Sequence, residues 1–200
     1  MTAERFRDTR DIHSRSFEEW LGYIEGENGQ AVRRFMEIDE NRHAVLTAPG
    51  SRDAHHAWRG GYQEHIRQTM IVAHTLYQLM LDLGGLETLP PEEQFSLSDA
   101  LTVMFLHDIE KSFIYRMRPE GGVDTLRSMT KVERKEFRRD VIDRYGFVVT
   151  PTMANALLHV EGVRDECYVP GERVDQPLAA LCHAADNLSA RAMYDYSRPQ

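Results

Sequence analysis

An all-α fold is predicted by three observations on this 200-residue chain. Nearly every periodic stretch repeats its apolar residues at helical spacing, the stretches are bounded by helix start and stop residues, and strand-like runs are short. Residues 1 to about 50 read as one or two helices, around Phe17-Trp20-Ile24 and Val32-Phe35-Ile38. Gly60 to Leu83 places Ile66, Met70, Ala73, Tyr77 and Met80 on one face for about six turns, and Gly84-Gly85 stops it. Gly84 to Ser98, with Pro90-Pro91, is then a loop, and Ser98-Asp99 is read as the cap of the next helix. That helix runs through Ala100-Leu101-Thr102-Val103-Met104-Phe105-Leu106, apolar enough to be buried nearly all round. Arg116 to Ser128, with Pro119 and Gly121-Gly122, is a second loop. Thr130 to Tyr145 is a charged amphipathic helix closed by Gly146, and Thr150-Pro151 starts a shorter one ending near His159. Asp175 with Pro177 opens the last helix, and strand signals are confined to Phe147-Val148-Val149 and a hairpin within Gly162 to Val174.

Two hundred residues suffice for one domain with a sizeable core, and no internal repeat or low-complexity segment divides them. With 24 basic against 32 acidic residues the net charge is -8, which argues against a surface built to track a nucleic-acid backbone. Small anionic substrates met by a few local cations fit that balance better. The cysteines, Cys167 and Cys182, are too few for a disulfide framework and lack zinc-knuckle spacing, so a reducing cytoplasm is the expected location. The first twenty residues interleave Arg5, Arg7, Arg10 and Arg15 with Glu4, Asp8 and Asp11 and contain no signal-peptide run. Nor does any window approach a membrane span.

The chemistry-bearing residues come in order: His65 within Gly60-Gly61-Tyr62-Gln63-Glu64-His65, then His107-Asp108, then Asp186 within Ala184-Ala185-Asp186-Asn187. Imidazole and carboxylate together suit a divalent first-row metal, and four such ligands leave positions open for water and substrate. Because the four lie far apart in the chain, they form a site only if separate helices converge.

This order resembles the HD superfamily of metal-dependent phosphohydrolases, and the likeness runs from about His55 to Arg191. The segment His55-His56-Ala57-Trp58-Arg59-Gly60-Gly61-Tyr62-Gln63-Glu64-His65 is similar to the opening of the HD domain in 3'-5' exoribonucleases and related nucleotide hydrolases. Leu106-His107-Asp108-Ile109-Glu110-Lys111 and His183-Ala184-Ala185-Asp186-Asn187-Leu188 match their second and third segments. The resemblance implies a single HD-type helical bundle over 1–200, with its core at about 55–195 and residues 1–50 as an N-terminal helical extension. It also implies His65, His107, Asp108 and Asp186 as ligands of one divalent ion (Mn2+, Co2+, Mg2+, Ni2+ or Fe2+), with a second ion as an option.

Further roles are implied by the same resemblance. Lys111 would lie over the substrate phosphate. Glu110 stands where the commonest HD pattern has Gly; a carboxylate there could bind a second metal, accept a proton from attacking water or donate one to the leaving group. His159 falls where two-metal members carry another His, and is a substrate or second-metal ligand; His183 shares the helix face of Asp186. Arg59 and Arg191 are the guanidinium groups expected to hold a phosphate bidentately, and His55 and His56 would sit at the mouth of the pocket. Glu64 is expected to support the site from outside it.

The function expected is hydrolysis of a nucleotide or similar phosphorylated small molecule. The exoribonucleases that share the wording carry an additional nucleic-acid-binding domain, so polymeric RNA is not the expected substrate. Two other classes compete: an HD-type di-iron oxygenase, and a nucleotide-binding regulator without turnover. No membrane partner is expected, and a homo-oligomer is compatible with the chain.

Overall fold

The computed structural model describes residues 9–162 and 175–193, and among these the fold is all-α apart from one small hairpin. Three short helices come first, α1 (Phe17–Leu21), α2 (Gly26–Met36) and α3 (Asp39–Thr47). Ile24 and Ile38 lie in the joints between them rather than inside helices. The long α4 (Gly61–Asp82) follows, then α5 (Leu97–Leu106) and the single-turn α6 (Lys111–Ile114). After the hairpin come α7 (Lys131–Tyr145), α8 (Pro151–His159) and α9 (Pro177–Asn187), which runs on into a π turn over Leu188–Ala192.

Local sequence accounts for the boundaries. Thr130 caps α7 with a capping box to Glu133, and Gly146 ends it in the left-handed region. Thr150 caps α8, whose first residue is Pro151. The start of α5 corrects the sequence reading: Ser96, not Ser98, is the cap, and its hydroxyl and Asp99 form a reciprocal capping box. Ser98 lies inside the helix, where its hydroxyl accepts the Glu25 backbone N–H at 2.9 Å and ties α5 to the start of α2. Likewise Gln176 rather than Asp175 precedes α9.

The strand expectations are also corrected. Phe147-Val148-Val149 is irregular chain; Asn28 holds Val148 by two amide bonds, 2.8 and 3.0 Å. The hairpin falls within the expected loop instead, β1 (Tyr115–Met117) against antiparallel β2 (Val123–Thr125), with Arg116 opposite Asp124. The hairpin expected within Gly162 to Val174 lies outside the described residues, as does Cys167; Cys182 is buried and unpaired.

One hydrophobic cluster spans the described chain, from Ile12 and Trp20 through Phe35, Tyr62 and Phe105 to Ala185. The first three helices therefore share the core of the rest. Phe35 of α2 stands edge-on to Phe105 of α5 (5.7 Å between ring centres) and to Tyr145 of α7 (4.9 Å). No helix among the described residues is long and apolar enough to cross a membrane.

Candidate metal centre

Three helices converge on one point. α4 brings His65, the C-terminal end of α5 brings His107 and the following Asp108, and α9 brings Asp186. α5 is buried along nearly its whole length, so apolar packing fixes where its end lies. At that end His107 Nδ1 lies 2.8 Å from the carbonyl of Met104. A carbonyl only accepts, so Nδ1 carries a proton, and in the neutral ring the lone pair is left on Nε2, facing the site.

The four side chains gather closely. His65 Nε2 is 3.2 Å from Asp186 Oδ1 and 3.6 Å from Asp108 Oδ2; His107 Nε2 is 3.3 Å from Asp108 Oδ2 and 3.6 Å from Asp186 Oδ1. Both Nε2 atoms are buried without a hydrogen-bond partner of acceptable geometry. With the rings neutral, two imidazole nitrogens and two carboxylate oxygens facing each other are all acceptors, so the arrangement calls for positive charge at its centre, whether protons or a cation. The local electrostatics agree: burial lowers the pKa of His107, but Asp108 and Asp186 outweigh it and raise it to about 10. Burial pushes Asp186 up, and the neighbouring His107 and His65 rings hold it well below the usual carboxylate range. A divalent cation answers the same demand, and this donor set suits one.

The site has one open side. His65, His107 and Asp108 side chains are at most 4% exposed, whereas Asp186 keeps 20% and Lys111 17%. Lys111 Nζ reaches Asp108 Oδ2 at 2.5 Å. Among the described residues, Asp186 and Lys111 are the parts of this group that reach solvent.

His56 lies in the wall of this group rather than at its mouth, and His55 stands half-buried beside it. Their rings lie 4.8 and 5.2 Å from that of His65, and His56 is fully buried. His56 holds a left-handed backbone (φ 56°), unusual for a residue other than glycine. Gly61 makes room for it: a Cβ there would stand 2.0 Å from the His56 carbonyl oxygen. The Gly60-Gly61 pair of the sequence thus serves the turn that brings the two histidines inward. Ligand atoms of His55, His56 and His65 also gather within 4.8 Å. Hydrogen bonds, however, engage both ring nitrogens of His56 (with His55 Nδ1 and Gln68 Oε1, 3.0 Å each) and His65 Nδ1 (Ser189 Oγ, 2.9 Å). The His65, His107, Asp108 and Asp186 group is therefore the candidate centre.

The other expected residues are placed variously. Glu110 is buried but lies outside the four-residue group; its oxygens are 3.9 Å from Arg134 and from Arg138 of α7. Burial and the neighbouring Asp108 push its carboxyl up to about 6 against the pull of Arg138. His159 is buried in the last turn of α8 and is not among the gathered ligands. Arg59, before α4, and Arg191, on the π turn, are exposed. His183 pins α9 to the end of α8 through the Val160 carbonyl, 2.7 Å from its Nδ1. Glu64 lies outside the group: it forms a two-bond pair with Arg67 (2.7 and 2.8 Å) and accepts from Gln68.

Three residues were missed. Arg138 donates to the His107 carbonyl, and to that of Leu157 at 3.0 Å, so α7 fastens the ends of α5 and α8. In the sequence it is one arginine of a charged helix. Gln68 and Ser189 are neutral residues whose only signal was helical spacing from His65 and Asp186. A surface cleft of about 360 Å³ lined by Ser16, Phe17, Leu46, Gln63, Glu64 and Arg67 contains none of the four ligand candidates.

Compared with known proteins, the chain matches no family model, no curated protein and no solved structure.

Proposed function

We propose that this chain is a divalent-metal-dependent phosphohydrolase of HD type, acting on a nucleotide or similar phosphorylated small molecule. The observation that carries the reading is the convergence of two partnerless Nε2 atoms and two carboxylate oxygens from three helices, open to solvent on the side of Asp186 and Lys111. His65, His107, Asp108 and Asp186 would hold the ion, which would supply water activation and Lewis-acid polarisation of a phosphoryl group.

The chain's own residues do the rest. Lys111, on the open side and bonded to Asp108, meets the phosphoryl oxygens and stabilises charge that grows on them during transfer. Glu110, with a pKa near 6, is the residue next to Asp108 best poised to exchange a proton near neutrality. Arg59 and Arg191 at the surface, and His159 in α8, hold the remainder of the substrate. A net charge of -8 favours small phosphorylated molecules over nucleic acid.

The test is phosphate release by metal-stripped protein reloaded in turn with Mn2+, Co2+, Mg2+, Ni2+ and Fe2+, against nucleoside mono-, di- and triphosphates and short oligonucleotides. Turnover that vanishes together with bound metal in Asp108→Ala is the expected result. Lys111→Ala should keep its metal and lose about 10²–10³ in turnover, the scale for one electrostatic contact in the transition state. Silence across the panel, with two irons retained and O2 consumed, would replace the reading with the oxygenase; nucleotide binding without turnover would replace it with the regulator.

A further inference from the structure

His65 meets α9 at both of its ring nitrogens. Asp186 Oδ1 stands 3.2 Å from Nε2, and Ser189 Oγ, three residues on and fully buried, stands 2.9 Å from Nδ1. The direction of the second bond follows from its neighbours. Glu64 and Gln68 are one turn apart on α4, and the Gln68 amide NH2 donates to Glu64 Oε1 at 3.1 Å. A carboxylate only accepts, which fixes the amide with its carbonyl pointing the other way. That carbonyl oxygen lies 3.0 Å from Ser189 Oγ and can only accept, so the single hydroxyl proton of Ser189 is committed to it. Ser189 then has only lone pairs left for His65, and Nδ1 must carry the proton.

From this geometry we infer that Glu64, Gln68 and Ser189 form a positioning network that keeps a proton on His65 Nδ1 and so reserves Nε2, the nitrogen facing Asp108 and Asp186, for the metal. The inference rests on the metal-centre reading above. The same Gln68 oxygen lies 3.0 Å from His56 Nε2, so His56 donates there and the wall of the site is oriented by one amide. The π turn begins at Leu188, directly after the two residues that close α9 at the site, and Ser189 is its one buried residue. π turns interrupt α-helices mostly where a side chain must be re-aimed at a functional site, and the re-aimed side chain here is Ser189.

Two measurements test it. In metal-free protein labelled with 15N at histidine, His65 should show a slowly exchanging proton on Nδ1; its absence would overturn the inference without recourse to any variant. In Ser189→Ala that proton should be lost, and Mn2+ affinity, measured by titration and by metal retained against graded chelator, should fall about 10–100-fold, the usual effect of removing the partner of a metal-bound histidine. Gln68→Met, which removes the acceptor but keeps the shape, should weaken binding less, because Ser189 stays in reach of His65. Mn2+ affinity within twofold of the parent in Ser189→Ala, with an unchanged melting temperature, would also overturn the inference. If the parent protein takes up no divalent ion at all, the metal reading falls, while the His65 proton still decides the network.

Discussion

α5 and α7 both act on the backbone of His107, and they do so by opposite means. Eight of the ten residues of α5 are buried, and the helix delivers His107 because its whole surface is packed. α7 buries only Val141 of its fifteen, yet Arg138 reaches across from it to the His107 and Leu157 carbonyls. Apolar packing spreads the task of positioning over many contacts. A guanidinium concentrates it in one group, and losing that group leaves two carbonyls without their donor and the buried Glu110 with one of its two neighbouring cations, Arg134.

The comparison is broken most severely by Arg138→Met, which keeps the length of the side chain but none of its bonds. Stability should fall by about 3–5 kcal/mol, the cost of breaking a buried charged contact, as read by denaturant unfolding. Adding Glu110→Gln should recover part of the loss, because the under-compensated carboxylate goes with it. Next comes Leu101→Ala in α5, fully buried, at about 2–5 kcal/mol. Its signature differs: Mn2+ affinity of the folded protein should stay within a few-fold, since neighbouring contacts still hold the helix end.

Packing leaves a mark in pH as well. His74 of α4 is buried edge-on to Trp20, 5.6 Å between ring centres, and burial together with Arg15 lowers its pKa to about 4. The unfolded chain protonates near 6.5 and the folded one does not, so stability is intact above 6.5 and lost as pH falls through the window down to 4. The His74 share of the loss should approach about 3 kcal/mol, and His74→Phe should make the pH dependence shallower by that share in unfolding curves taken at pH 7, 6, 5 and 4.5, the half-buried His55 and buried His56 keeping theirs. Smallest of all is Val132→Ala on the outer face of α7, where the side chain is 64% exposed; its effect should stay within about 0.5 kcal/mol. A large effect there would mean that the outer face of α7 contributes as well as the inner one, which carries Phe137, Val141 and Tyr145.

Helices with a sustained apolar face and a cap on each end were legible in the chain: α4, α7 and α8 stand within a residue or two of their predicted bounds. The cap of α5 was misplaced because Ser96 and Ser98 both precede Asp99, and only the three-residue spacing of a capping box separates them. β1 and β2 have three residues each, too few for alternation to register, so their loop signals dominated. In the candidate centre, the convergence of His65, His107, Asp108 and Asp186 was anticipated because their types and order are distinctive. Arg138 was hidden because an arginine that crosses to another helix reads the same as one facing water. His56 was hidden because nothing in a His-His pair announces a left-handed backbone.

The double attachment of His65 to α9 also bears on how the site would open. Asp186 closes α9 and Ser189 lies on the π turn that continues it, so moving that end of the helix away from α4 separates both contacts. Hydrogen exchange at the backbone amides of α9 would report the free energy of that separation.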